Sequence, residues 1–120
     1  MKKLIAVLAI VLMLFGIAFA ADWVKGSGNK TASAAIYSGE GVLEGVIVTT
    51  NGSDAVTLNI YDNASAASGT KLIPPTVITS STIDRIQAIK IPGGAIRFYN
   101  GVYVETSCSS TYNYVVYYFD

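Results

Sequence analysis

The sequence contains no histidine, one cysteine (Cys108) and two methionines, Met1 and Met13. Without an imidazole there is no ordinary base to activate a serine or cysteine nucleophile. One thiol and no imidazole also leave a transition metal with too few ligands. A single cysteine excludes an intrachain disulfide, so the fold must rest on its core. Flanked by Ser107, Ser109 and Ser110 in an expected loop, Cys108 reads as incidental rather than catalytic. Charge is scarce, at 13% of residues, and its eight cations and eight anions cancel. Lys2 and Lys3 stand at the start, while Lys25, Lys30, Lys71, Arg85, Lys90 and Arg97 are scattered. Phosphate contacts need a basic stripe, so nucleic acid is not an expected partner.

What is present is unevenly placed. Of the first 20 residues, 17 are apolar. A short cationic start, the apolar run Leu4 to Phe19 and the small-residue site Ala18-Phe19-Ala20 read as a secretory signal over residues 1–20, cleaved after Ala20. The alternative is an uncleaved anchor helix, because about 17 apolar residues can just cross a bilayer. Membrane contact is then expected only through residues 4–20. No cysteine lies near the end of the run, which excludes a lipid-anchored lipoprotein. The expected location is exported: periplasmic, extracellular or on a virion surface.

Residues 21–33 are rich in Gly, Ser and Lys and read as an extended arm, and residues 34–120 as one domain. After residue 20 there are ten Ile, ten Val, ten Thr and eight Tyr against three Leu. Branching at Cβ costs rotamer freedom in a helix and packs well on a pleated sheet, so the domain is expected to be all-β. Strands are expected from Ala34 to Tyr37 and from Val42 to Thr50, with Gly45 marking a bulge or a close backbone approach. Asn51-Gly52-Ser53-Asp54 is a turn signal, read as closing a hairpin. Val56, Leu58 and Ile60 alternate with Thr57, Asn59 and Tyr61, which should put Tyr61 outward. Residues 62–70 form a small, polar loop with little to hold it. Pro74-Pro75 makes the following stretch an edge segment or a crossing between sheets, with pairing resumed at Thr76 to Thr79. Ile83 to Ile91 is apolar on both parities, as in a bulged or doubly buried strand, and Pro92-Gly93-Gly94 ends it. Next, a three-residue loop Tyr99-Asn100-Gly101 would pair Phe98 with Val102 and Ile96 with Val104, making one face wholly apolar. Asn113 to Phe119 is apolar on both parities, as for a central strand or one whose second face meets another subunit. The expectation is a single small β-sandwich or jelly roll of seven or eight antiparallel strands after an N-terminal signal or anchor helix.

Chemistry is hard to find. Ser27/Lys30 and Ser68/Lys71 have Ser-x-x-Lys spacing, but both lie in Gly-rich stretches where a helical turn is not expected. Glu40 and Glu44 on one strand would be about 13 Å apart at about 3.3 Å per residue, beyond the roughly 5–9.5 Å of a glycosidase pair. Asp54, Asp62 and Asp84 lack the spacing of a calcium loop. No enzyme activity, cofactor or metal is expected. The excess of tyrosine is the one suggestive feature. Trp23, Tyr61 and Tyr103 are candidates for a shallow sugar-stacking platform, and Tyr114, Val116, Tyr117, Tyr118 and Phe119 for a subunit interface.

The stretches GVIVTTNGSDAVTLNIYDNASAASGTKL (Gly45 to Leu72), FYNGVYVETS and YVVYY resemble a group of small β-sandwich proteins encoded in tailed-phage genomes and regarded as virion-associated. The resemblance spans most of Gly41 to Phe119. It implies a non-catalytic structural protein, a capsid decoration or an accessory head or tail component. Such a protein acts through repeated contacts with itself or with other virion or surface proteins, and a homo-oligomer is expected. The alternative is an exported carbohydrate- or cell-surface-binding module, with glycans as partners.

Overall fold

The computed structural model describes residues 23–50, 54–79, 86–91 and 94–120. Residues 1–22, 51–53, 80–85 and 92–93 lie outside them, and with them the leader, most of the Asn51-Gly52-Ser53-Asp54 signal, the start of the Ile83 to Ile91 stretch and Pro92-Gly93. The described residues form nine strands, against the seven or eight expected: β1 (Lys25–Gly26), β2 (Ala34–Ser38), β3 (Gly41–Thr50), β4 (Val56–Tyr61), β5 (Thr76–Ile78), β6 (Ile86–Lys90), β7 (Ile96–Phe98), β8 (Gly101–Ser107) and β9 (Tyr112–Phe119). The all-β class expected from composition holds, and the described residues contain no helix.

The strands form two antiparallel sheets. The first runs β1-β9-β3-β6 with β7 also on β3, and the second runs β2-β8-β4-β5. Leu43, Val46 and Val48 of β3, Phe98 of β7, and Tyr114 and Val116 of β9 meet Val56, Leu58 and Ile60 of β4 and Val102 and Val104 of β8 in one core. Each such side chain contributes about 1.5–3 kcal/mol on burial. The arrangement is compatible with a β-sandwich.

Of the two readings of Gly45, the bulge is present. The register of β3 against β9 shifts between Leu43 and Gly45, so Leu43 and Val46, three residues apart, both point inward. On the other side of β3, Gly45 pairs Lys90 of β6 and Leu43 pairs Ile96 of β7. Strands β6 and β7 thus follow one another along the same edge of β3, their ladders meeting it on either side of Glu44.

Several expectations fail for a common reason, namely that successive strands change sheets. Strand β7 pairs β3 in the first sheet and β8 pairs β2 and β4 in the second, so Tyr99-Asn100-Gly101 is a crossing and not a hairpin loop. Phe98, Val102 and Val104 are all buried, but from opposite sides of the core. Likewise β3 and β4 flank Asn51–Asp54 in different sheets, so no hairpin closes there. Strand β6 is an edge and not a doubly buried strand, with Ile86 exposed.

The loop after β4 is held, contrary to expectation. Asn63 Oδ1 accepts the amides of Ser65 and Ala66, and the amide of Asp62 donates to Thr70 O. The described part of the arm joins the first sheet along β9. Ser27 N donates to Val116 O at 2.9 Å, and Lys30 and Tyr114 exchange two backbone hydrogen bonds, each 2.9 Å. Tyr114, buried, donates its hydroxyl to Ala32 O at 2.8 Å, and burial pushes its pKa well up, so it remains a donor at ordinary pH. Tyr114→Phe is expected to cost about 1 kcal/mol in urea denaturation by loss of that bond.

Candidate functional site

Alternation turns every second residue of the first sheet away from the core. Ile47 of β3 pairs Ala88 on one side and Val115 on the other, Gly45 pairs Tyr117, and Val42 pairs Phe119. The outer face of this sheet is therefore an apolar band three strands wide. Ile86 is 68% exposed at its edge and Trp23 is 80% exposed beside β1. The missing side chain at Gly45 opens a hollow in the band of about 440 Å³, lined by Val24, Glu44, Gly45, Ile47, Ala88 and Tyr117. A second hollow of about 260 Å³ is lined by Glu40, Val42, Arg97, Phe119 and Asp120.

Two charged pairs lie at one end of the face. Lys25 and Asp120 form an ion pair; their hydrogen bond raises the pKa of Lys25 and lowers that of Asp120. Arg97 lies 3.5 Å from Glu40 and stacks over the ring of Tyr99. These pairs are open to water and add little stability, so they serve as a polar rim to an apolar band.

The outer face of the second sheet is different in kind. Thr57, Asn59 and Tyr61 of β4 pair Ser107, Glu105 and Tyr103 of β8. Tyr61 has the outward parity expected of it, yet it is only 8% exposed. Its ring is covered by the Lys71 ammonium, 5.5 Å from the centroid, and its hydroxyl donates to Glu105 Oε2 at 3.1 Å. Burial, then the Glu105 hydrogen bond, raises the Tyr61 pKa.

The two sets of candidate residues are distributed over these faces. Trp23 precedes β1 at the edge of the first sheet, whereas Tyr61 and Tyr103 sit in the second. The three do not meet in one platform. Tyr114 and Val116 are buried in the chain's own core, and Tyr118 packs on it beside Tyr37 at 5.2 Å. Tyr117 and Phe119 are half-buried on the outer face of the first sheet. Sequence reading missed Ile47, Ile86, Ala88, Val24 and Val115 as members of that band. Their apolar parity was legible, but nothing local marks β6 as an edge or lays the arm beside β9.

The catalytic patterns do not assemble. Ser27 Oγ donates to Gly28 O, Ser68 Oγ accepts from Asn63, and Lys71 donates to Asn59 instead of Ser68. Among the described residues no three His, Cys, Asp or Glu groups come close enough to hold a metal ion. Asp54 accepts from Ser109, Asp62 holds backbone amides, and Asp84 lies outside the described residues. Cys108, half-buried, contacts Ser110. No protein-family model, curated protein or solved structure matches the chain.

Proposed function

We propose that this chain is a non-catalytic structural protein, a virion-associated β-sandwich of the decoration or accessory head-or-tail kind, exported by its leader. It works through subunit contacts made by the outer face of the first sheet. One observation carries this reading: an apolar band including Ile47, Ala88, Val115 and Tyr117, with Ile86 at its open edge, while the opposite face is polar and internally hydrogen-bonded. Soluble chains rarely expose a contiguous apolar patch of this kind unless a partner covers it. The tyrosine and phenylalanine in the band suit a contact surface, and the charged rim suits its border.

The test is the mass in solution by light scattering. The protein is expected to assemble, and Ile47→Glu or Tyr117→Glu to dissociate it with the circular dichroism spectrum retained. A charge at the centre of such a contact costs about 2 kcal/mol or more, roughly 30-fold in dissociation constant. A wild-type monomer at high concentration that binds glycans, with binding lost in Trp23→Ala, would instead establish the exported carbohydrate-binding alternative.

A further inference from the structure

The polar face of the second sheet carries three groups in the order of an amide-forming reaction. Lys71 Nζ donates to Asn59 Oδ1 at 3.0 Å, and Asn59 Nδ2 donates to Glu105 Oε2 at 3.1 Å. The backbone builds this row: Asn59 and Glu105 are direct cross-strand partners, and an isolated bridge joins Lys71 to Tyr61 two residues further along β4. Tyr61 fixes two of the three groups, holding Glu105 Oε2 by its hydroxyl at 3.1 Å and the lysine ammonium over its ring. A primary amine thus lies against the carboxamide it could acylate, and a carboxylate lies against the nitrogen that would leave.

We propose that Lys71 and Asn59 join in an intramolecular isopeptide bond, with Glu105 carrying the proton. The free amine of Lys71 attacks Cγ of Asn59, forming the C–N bond as the carbonyl π pair moves to Oδ1. Glu105 takes a proton from the attacking nitrogen and delivers it to Nδ2. The oxygen lone pair then re-forms the carbonyl, the Cγ–Nδ2 bond breaks, and ammonia leaves. An amine and a primary amide become a secondary amide and ammonia, with no change of oxidation state and no co-reactant. Only the free amine attacks, so conversion quickens as pH rises. The bond would tie β4 to the segment leading into β5 across the loop of residues 62–70, in a chain whose single cysteine allows no internal disulfide.

The experiment is intact mass and tryptic mapping of the full chain, before and after incubation at about pH 9. The expected result is a mass lower by about 17 Da, one ammonia, with Lys71 no longer cut by trypsin. A protease cut within residues 62–70 should then add one water and release no fragment. Lys71→Arg, which keeps the cation over Tyr61, and Asn59→Ala should both retain full mass. Glu105→Gln should slow conversion at least about 100-fold with the circular dichroism spectrum unchanged. A full-mass protein after alkaline incubation overturns the proposal. So does a loss of ammonia with Lys71 still cleavable, which marks a succinimide at Asn59. Conversion of Glu105→Gln at the wild-type rate overturns the role of the carboxylate.

Discussion

Gly101→Ala is expected to destabilise the protein by at least about 3 kcal/mol, a large part of the roughly 5–15 kcal/mol that holds a domain of this size together. Gly101 opens β8 at the corner where the chain crosses from the first sheet to the second, and its φ is +147°, which side-chain-bearing residues rarely adopt. An added Cβ would run into Tyr37 O and stand 2.8 Å from Ala64 Cα. Both obstacles are backbone, one in β2 and one in the loop after β4, so no side chain can swing away to make room. Gly94→Ala is the control. Gly94 also has positive φ, +87°, but nothing lies within 4 Å of its added Cβ, so only the conformational penalty of about 1–2 kcal/mol applies. Urea midpoints separate the two. Equal midpoints would mean that the corner is not packed against β2 as described.

The same corner makes stability depend on acid. The Asp62 carboxylate accepts the backbone amides of Tyr99 at 3.1 Å, Asn100 at 2.7 Å and Gly101 at 3.3 Å, closing the crossing from the end of β4. Burial pushes the Asp62 pKa up, but the amides of Asn100, Tyr99 and Gly101 outweigh it and hold the group below the ordinary carboxylate value. A carboxyl that is more acidic folded than unfolded stabilises the fold above its unfolded pKa, near 4. That contribution is lost as pH falls through the lower folded value. Asp62→Asn is therefore expected to cost about 2 kcal/mol at pH 7, and Asp62→Ala about 3 kcal/mol, because charge-assisted bonds to three amides are weakened or removed. The gap between wild type and Asp62→Asn should close as pH falls below about 4. Urea titrations at a series of pH values check this, and a gap that stays constant into acid would show that the charge of Asp62 is not what holds the corner.

Both residues were in view in the sequence with the wrong job attached. The local pattern makes Gly101 the last residue of a hairpin loop and Asp62 the start of an unheld one. Local pattern does register that a glycine and an acid stand near turns. It carries no information on which two turns are neighbours, and Asp62 and Asn100, 38 residues apart, meet only because β4 and β8 pair.

A similar division runs through the candidate sites. The double parity of residues 113–119 is legible as two apolar faces, and β9 does lie inside the sheet, between β1 and β3. Which face is free is a different matter. Tyr114 and Val116 reach the core and Tyr117 and Phe119 do not, because the register to β3 sets which parity points inward. Tyr61 shows the limit of parity from the other side. Alternation put it outward, and a lysine ten residues later in the chain covered it.

The all-β class, the positions of most strands, the irregularity at Gly45 and the shortage of groups for familiar catalysis are legible in the chain alone. All of these follow from properties of single residues or near neighbours: branching at Cβ, alternation over two residues, the freedom of glycine and the absence of histidine. The tertiary structure decided which strands share a sheet, which apolar face is left uncovered, and that Lys71, Asn59 and Glu105 stand in one row. These depend on pairings between distant segments, and a strand of alternating residues fits either sheet equally well until its partners are chosen.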